Sequence, residues 1–151
     1  MNCSPDKPVK IVIASSPAYL PVVRGAVEKM CQLLGFDDEG AGGVVLSVDE
    51  ALTNIIKHAY NGADDKPIDI DLAPLTESPA GGIRICLRDY GPSVDPEKIR
   101  SRDLDDIRPG GLGVHIMCEC MDKLEYRRAE GGGTVLTMTK KAPERKGNVT
   151  R

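Results

Sequence analysis

A column of polar side chains along one predicted helix offers the groups best suited to chemistry in this sequence. Glu50, Asn54 and His58 follow one another at steps of four, and Lys57 lies beside them. Residues four apart stack on one helix face, so this column would present a carboxylate, an amide and an imidazole together. Such oxygens suit Mg²⁺, which takes one or two protein ligands beside substrate phosphates, and the lysine would meet phosphate charge. The alternative is an ordinary solvent-facing polar stripe.

Two glycine-containing segments form the second group of candidates. Asp89, followed by Tyr90, Gly91 and Pro92, ends a predicted strand. Aspartate before Gly-Pro is common in turns. The same position would also place a carboxylate at the mouth of a pocket, where it could accept a hydrogen bond from the amino group of a nucleobase.

The second segment has glycines at 110, 111 and 113, directly before an apolar helical run. Glycine is unfavourable inside a helix, whereas bare N–H groups at a helix N-terminus bind anions. The run therefore predicts a phosphate site, with a flexible hinge as the alternative. The sequence contains no G-x-G-x-x-G, Walker or protein-kinase signature.

The elements that must position these residues follow from the hydrophobic periodicity. The strands are predicted at 9–14, 68–72, 83–88, 123–129 and 134–140, and the helices at 17–34, 44–60 and 110–121. Hairpin-like strands with grouped helices predict an α+β fold, in which a mixed or mainly antiparallel sheet is covered by helices on one face. Residues 1–141 are expected to form a single domain and 142–151 a polar, disordered tail. The pair Gly42-Gly43 is interpreted as part of a loop.

The amino-acid composition excludes several classes of function. The chain has 151 residues, 40% hydrophobic and 3% aromatic, with a net charge of -3. A near-balanced charge and few aromatic rings argue against direct nucleic-acid binding. No apolar run approaches the roughly 20 residues that span a membrane, and the N-terminus is unlike a signal peptide, so we expect a cytoplasmic protein. The five cysteines match no zinc or redox spacing and are interpreted as reduced thiols.

Four segments, taken in order and spacing, resemble the motifs of the Bergerat-fold ATPases. Residues 48–60 resemble the N box, Asp89-x-Gly91 the first glycine box, residues 111–113 the second, and Gly133-Thr134 the late Gly-Thr pair. Within that superfamily, the E-A-x-x-N-x-x-x-H-A-Y pattern and the R-P-G-G-L-G run resemble the stand-alone anti-sigma-factor serine kinases of bacterial partner-switching systems. The resemblance implies a Bergerat-type two-layer sandwich with about three helices.

The resemblance also implies roles for individual residues. Glu50 would be the general base, Asn54 would ligate Mg²⁺, and Asp89 would bind the adenine amino group, with Gly91 and Thr134 completing the base pocket. The remaining residues would contact the ATP phosphates: Lys57, Arg108, Gly110, Gly111, Leu112, Gly113 and Val114.

The two histidines receive no chemical role. His58 is expected to make a structural hydrogen bond, and His115 to pack or lie at the surface.

The activity implied is that of an ATP- and Mg²⁺-dependent serine/threonine protein kinase that is also an anti-sigma factor. It would phosphorylate an anti-sigma-factor antagonist of the STAS type, sequester a sigma factor and form a homodimer. Three alternatives stay open: a nucleotide-binding module that sequesters a partner without phosphorylating it, a simple ATPase, and an α+β domain with no nucleotide site.

Overall fold

A computed structural model of the chain describes residues 7–92 and 109–144, with side chains from residue 115 onward in the second range. Its strands are β1 (Val9–Ala14), β2 (Pro67–Pro74), β3 (Gly82–Arg88), β4 (Lys123–Arg128) and β5 (Thr134–Lys141). Its α-helices are α1 (Leu20–Leu33), α2 (Asp38–Asn54) and α3 (Pro109–Cys120). A 3-10 turn (Pro17–Tyr19) precedes α1, and a π-helical turn (Ile55–Ala59) continues α2.

The strands form one sheet in the order β1-β2-β3-β5-β4, with every neighbouring pair antiparallel. The predicted α+β fold is confirmed. Strand alternation divides the two faces, because successive side chains point to opposite sides. One face carries the fully buried Ile68, Ile70 and Leu72 of β2, which share a single core with residues of α1, α2 and α3. All three helices therefore contribute to the core on this face.

The ends of α1 follow the sequence signals. Ser16 caps the 3-10 turn by accepting a hydrogen bond from the N–H of Ala18 at 3.3 Å, and Pro17 follows at the first position. At the other end, Gly35 takes a left-handed backbone (φ +91°), which terminates the helix after Leu33. The end of the helix predicted over 17–34 is thus placed to within one residue.

The beginning of α2 differs from the prediction. The helix starts at Asp38 rather than at 44, because the Asp37 side chain accepts a hydrogen bond from the N–H of Gly40 at 2.7 Å and caps the first turn. The loop interpretation of Gly42-Gly43 is therefore wrong. Both lie inside the helix, and a β-carbon on Gly43 would meet Cys120 of α3 at 3.5 Å, an ordinary contact. Tertiary packing of α2 outweighs the low helix propensity of its glycines.

The hairpin predicted around residues 131–133 is confirmed, since β4 and β5 pair directly and all three glycines have positive φ. Beyond β5, Ala142 is buried and donates its N–H to the carbonyl of Gly81 at 3.0 Å. The first residue of the predicted tail is thus attached to the core, while 145–151 lie outside the described residues. In the described ranges, no helix combines the length and the apolar character that crossing a membrane requires.

Candidate functional site

The C-terminal half of α2 carries the predicted acid and amide. Glu50 and Asn54 are one α-helical turn apart and both are half-buried. Within residues 7–92 and 115–144, neither side chain has a hydrogen-bond or ionic partner. Asp49, directly before Glu50, is instead bound to Arg24 of α1 at 2.7 Å. Of these two adjacent carboxylates, the described contacts leave Glu50 available to a ligand.

The α-helical geometry behind the predicted column does not continue past Asn54. The following five residues form the π-helical turn, in which the N–H of Tyr60 donates to the carbonyl of Ile55 at 3.0 Å. A π-helical turn holds more residues than an α-helical turn, so His58 is displaced around the helix axis from its α-helical position. His58 and Lys57 are both exposed. The sequence did not predict this turn, because periodicity alone does not reveal a π turn.

Asp89 lies directly after β3 and is buried, with 4% of its surface exposed. Its Oδ1 accepts a hydrogen bond from the N–H of Gly91 at 3.0 Å, and its own N–H donates to the carbonyl of Thr134 at 3.0 Å. Burial raises the pKa of this carboxyl above its ordinary value, and the backbone groups of Gly91 and Thr134 and the charge of Arg88 partly oppose that rise. A buried carboxylate held by backbone groups is suited to accepting a hydrogen bond from a ligand.

Two glycines allow other segments to approach Asp89 closely. A β-carbon on Gly91 would lie 2.5 Å from the carbonyl oxygen of Ala59, the last residue of the π-helical turn. A β-carbon on Gly133, whose φ is +90°, would lie 2.0 Å from the carbonyl oxygen of Asp89. The structure thus brings together the loop after β3, the end of the π turn and the β4–β5 turn. Thr134, buried at the start of β5, completes this junction.

Two tyrosines at the same junction were not predicted as functional. The buried hydroxyl of Tyr60 accepts a hydrogen bond from the N–H of Tyr90 at 2.7 Å and donates to the carbonyl of Pro67 at 2.5 Å. The hydroxyl of Tyr90 donates to Asp69, and the Arg88 guanidinium lies 4.4 Å from the centre of the Tyr90 ring. The available signal was the tyrosine that ends the quoted motif, in a chain with only 4 tyrosines.

The glycine run opens α3, as predicted, with Pro109 at the first helical position. Residues 110–114 are therefore placed as backbone in the first turns of this helix, and the N–H groups at its very start lack helical partners. Arg108 lies outside the described residues. His115 is exposed and pairs with Glu119 at 3.2 Å, so its surface interpretation is consistent with the structure. The end of α3 packs near the beginning of α2, where Gly43 faces Cys120.

The described residues around Glu50 offer oxygen ligands rather than a complete metal cluster. In the described part of the chain, no three His, Cys, Asp or Glu residues form a cluster that could enclose a metal. Mg²⁺ needs no such cluster, because it is commonly held by one or two protein oxygens together with phosphate oxygens and water. The oxygens of Asn54 and Glu50, which have no partner among the described side chains, fit that pattern.

A separate groove of about 570 Å³ lies elsewhere, between the end of α1 and the residues after β5. It is lined by residues that include Leu33, Ala80 and Ala142. The described residues along its wall include no predicted site residue, and Asp89 with its neighbours lies elsewhere.

Residues 13–140 match the family model of the histidine kinase-like ATPase domain. The chain is 31% identical over 105 residues to the serine/threonine-protein kinase BtrW of Bordetella bronchiseptica, covering 67% of this chain and 71% of that relative. It is 26% identical over 148 residues to the serine-protein kinase RsbW of Halalkalibacterium halodurans, covering 93% of this chain and 86% of that relative.

Among solved structures, the fold is similar to a chain of the SiaB-SiaC complex from Pseudomonas aeruginosa. The TM-score is 0.67 at 13% identity, covering 87% of this chain and 88% of that chain. This likeness concerns the fold. The segment matched by the family model contains both the Glu50–Asn54 pair and the junction around Asp89.

Proposed function

This chain belongs to the histidine kinase-like ATPase domain family, and from that membership we propose that it is an ATP-dependent serine/threonine protein kinase and anti-sigma factor of a partner-switching system. Relatives that align with most of the chain are named serine-protein kinase and serine/threonine-protein kinase. The main observation in support of the catalytic role of Glu50 is that Asp49 pairs with Arg24. This pairing leaves the neighbouring Glu50 available beside Asn54.

The base of ATP binds at the junction around Asp89. The buried carboxylate accepts a hydrogen bond from the adenine amino group, and Gly91 and Thr134 line the same pocket. No aromatic ring is required, because the contact is a charge-assisted hydrogen bond in a site largely withdrawn from water.

The phosphates bind between the end of α2 and the beginning of α3. The contact of Gly43 with Cys120 joins the beginning of α2 to the end of α3, which supports an antiparallel pair. Such a pair brings the first turn of α3 toward Asn54. The residues proposed to contact the phosphates there are Lys57, Arg108, Gly110, Gly111, Leu112, Gly113 and Val114.

Phosphoryl transfer leaves the protein mainly positioning and charge neutralisation. Asn54 would hold the magnesium ion, which would neutralise charge on the phosphates. Glu50 accepts the proton of the substrate hydroxyl. The hydroxyl oxygen then forms a bond to the γ-phosphorus while the bond to the β-phosphate oxygen breaks, and ADP leaves.

The substrate of this proposal is a serine or threonine of an anti-sigma-factor antagonist of the STAS type. The same protein sequesters a sigma factor until the unphosphorylated antagonist displaces it, and it acts as a homodimer. A cytoplasmic location is part of the proposal, because ATP and the transcription machinery are found there.

The test is phosphate transfer from γ-labelled ATP to candidate antagonists. Glu50→Gln is expected to reduce transfer at least a hundredfold while Mg-ATP binding is kept, since general base catalysis contributes about 10²- to 10⁴-fold. Asp49→Asn is the matched control, because its carboxylate pairs with Arg24, and it should transfer phosphate like the wild type.

Equal transfer by Glu50→Gln and wild type rejects the kinase mechanism. Nucleotide binding without transfer to any antagonist identifies a sequestering module instead. Hydrolysis at a rate independent of antagonist identifies a simple ATPase. If calorimetry detects no binding of Mg-ATP or Mg-ADP, the nucleotide site itself is disproved.

A further inference from the structure

We propose that Tyr60 is a positioning residue for recognition of the purine amino group. Its hydroxyl holds the segment from Asp89 to Gly91 in the geometry that presents the Asp89 carboxylate. This inference rests on the proposed nucleotide site and assigns to it a residue that does not itself touch the ligand.

Each residue from 89 to 91 is held by a different element. The N–H of Asp89 donates to the carbonyl of Thr134 in β5. The N–H of Tyr90 donates to the hydroxyl of Tyr60 at 2.7 Å. Gly91 abuts the carbonyl of Ala59, where a β-carbon would lie only 2.5 Å away. Tyr60 therefore supplies the one side-chain contact in this set of three.

The hydroxyl of Tyr60 is well suited to hold its position. Tyr60 is 8% exposed, and its hydroxyl also donates to the carbonyl of Pro67 at 2.5 Å. One oxygen thus bridges the start of β2 and the chain that leaves β3, and both hydrogen bonds are partly withdrawn from water. Hydrogen bonds that are withdrawn from solvent are stronger and costly to leave unmade.

The π-helical turn links this bridge to the catalytic end of the site. Tyr60 directly follows the turn, and its N–H donates to the carbonyl of Ile55, the residue after Asn54. Asn54 and Tyr60 are thus at opposite ends of one hydrogen-bonded turn. Loss of the Tyr60 hydroxyl removes a contact only at the adenine end of the site. Binding of adenine should therefore weaken, while phosphoryl transfer at saturating ATP is kept.

The test compares two nucleotides on Tyr60→Phe, which keeps the buried ring and deletes the hydroxyl. Calorimetry measures the Kd of ATP and of purine riboside triphosphate, which lacks the 6-amino group, each with Mg²⁺. The Kd of ATP should rise about five- to tenfold, the loss expected for one hydrogen bond, and the Kd of the analogue should change less than twofold. In the transfer assay, KM for ATP should rise while kcat stays within twofold.

Tyr19→Phe is the matched control, because Tyr19 is exposed in the turn before α1 and far along the chain from the site. It should bind both nucleotides like the wild type. The double variant Tyr60→Phe with Asp89→Asn should bind ATP about as weakly as Asp89→Asn alone, because Tyr60 acts through Asp89.

An equal loss of affinity for both nucleotides would make Tyr60 merely structural and overturn the inference, and so would unchanged affinity for ATP. Should Tyr60→Phe fail to fold, amide hydrogen exchange on the wild type decides: the N–H of Tyr90 must be protected before nucleotide is added, and rapid exchange rejects the bridge. Failure of the proposed function looks different, since the wild type would then bind neither nucleotide.

Discussion

Gly133 lies against the backbone of Asp89 so closely that a β-carbon on Gly133 would be 2.0 Å from the Asp89 carbonyl oxygen. The two residues are far apart in sequence, and they meet because β5 pairs with β3. The turn between β4 and β5 therefore packs directly against Asp89, the residue proposed to recognise adenine. Any side chain at Gly133 must displace one of the two segments.

Gly133→Ala is expected to destabilise the fold by more than about 3 kcal/mol, since a clash with backbone adds to the roughly 1–2 kcal/mol of a left-handed alanine. Gly131→Ala is the matched control, because Gly131 has a similar φ of +86° but open space around it. Urea unfolding measures both. Similar losses in the two variants would show that backbone conformation alone, and not contact with Asp89, requires glycine at 133.

Asp89→Asn should raise stability at neutral pH while weakening ATP binding. Burial raises the pKa of Asp89 in the folded state, so the folded protein binds the proton more tightly than the unfolded chain. The stability of the wild type therefore falls as pH rises from the unfolded pKa of about 3.9 through the higher folded value.

Unfolding free energies of wild type and Asp89→Asn, measured across that acidic range, should diverge in favour of the asparagine variant as pH rises. They should stay at a constant separation once both states are ionised. A wild type that gains stability relative to Asp89→Asn over the same range would mean that hydrogen bonds to the carboxylate outweigh its burial.

Gly42→Ala is expected to stabilise the protein by about 0.5–1 kcal/mol, the usual difference between alanine and glycine inside a helix. Gly42 lies within α2, and a β-carbon there would meet nothing within 4 Å. Gly40→Ala is the contrasting variant, because its β-carbon would lie 3.0 Å from Oδ1 of the capping Asp37. Thermal unfolding should show a gain for the first and none for the second.

Ser15→Ala should destabilise the fold by about 1–3 kcal/mol, because it removes two hydrogen bonds that are each worth about 0.5–1.5 kcal/mol. The Ser15 hydroxyl, fully buried after β1, donates to the carbonyl of Ala63 at 2.5 Å and accepts from the N–H of Lys66 at 3.1 Å. Ser16→Ala removes only the cap of a short turn and should cost less. Chemical denaturation of the two variants compares them directly, and the reverse order would contradict this account.

The sequence predicted the strands to within a few residues because alternation marks a half-buried strand directly, as in β2 and β3. It placed the start of α2 six residues late, since Gly40, Gly42 and Gly43 indicate a loop by propensity while packing makes them helical. It also missed the π turn, which has no periodic signature. The approach of Gly133 to Asp89 depends on strand pairing, which local patterns do not encode.

The candidate site residues were also predictable only where local spacing was sufficient. Glu50 and Asn54 were predicted to share a helix face, and local spacing was sufficient for that. The role of Tyr60 could not be predicted, because its partners, Pro67 and the backbone of Tyr90, are set by tertiary structure. The catalytic and ligand-binding roles of the site residues stay predictions until the experiments above are done.

The π-helical turn makes chain length itself a determinant of this site. Each residue of an α-helix advances the side chain by about 100°, and the wider π turn advances it less, so six α-helical residues after Asn54 would rotate Tyr60 by roughly a quarter turn. The ring of Tyr60 would then leave the core, and Ala59 would no longer meet Gly91. Deleting one residue would instead let an ordinary α-helix bring the tyrosine back into phase, so a homologue can keep this junction with the π turn or with one residue fewer, but not with an α-helix of the present length.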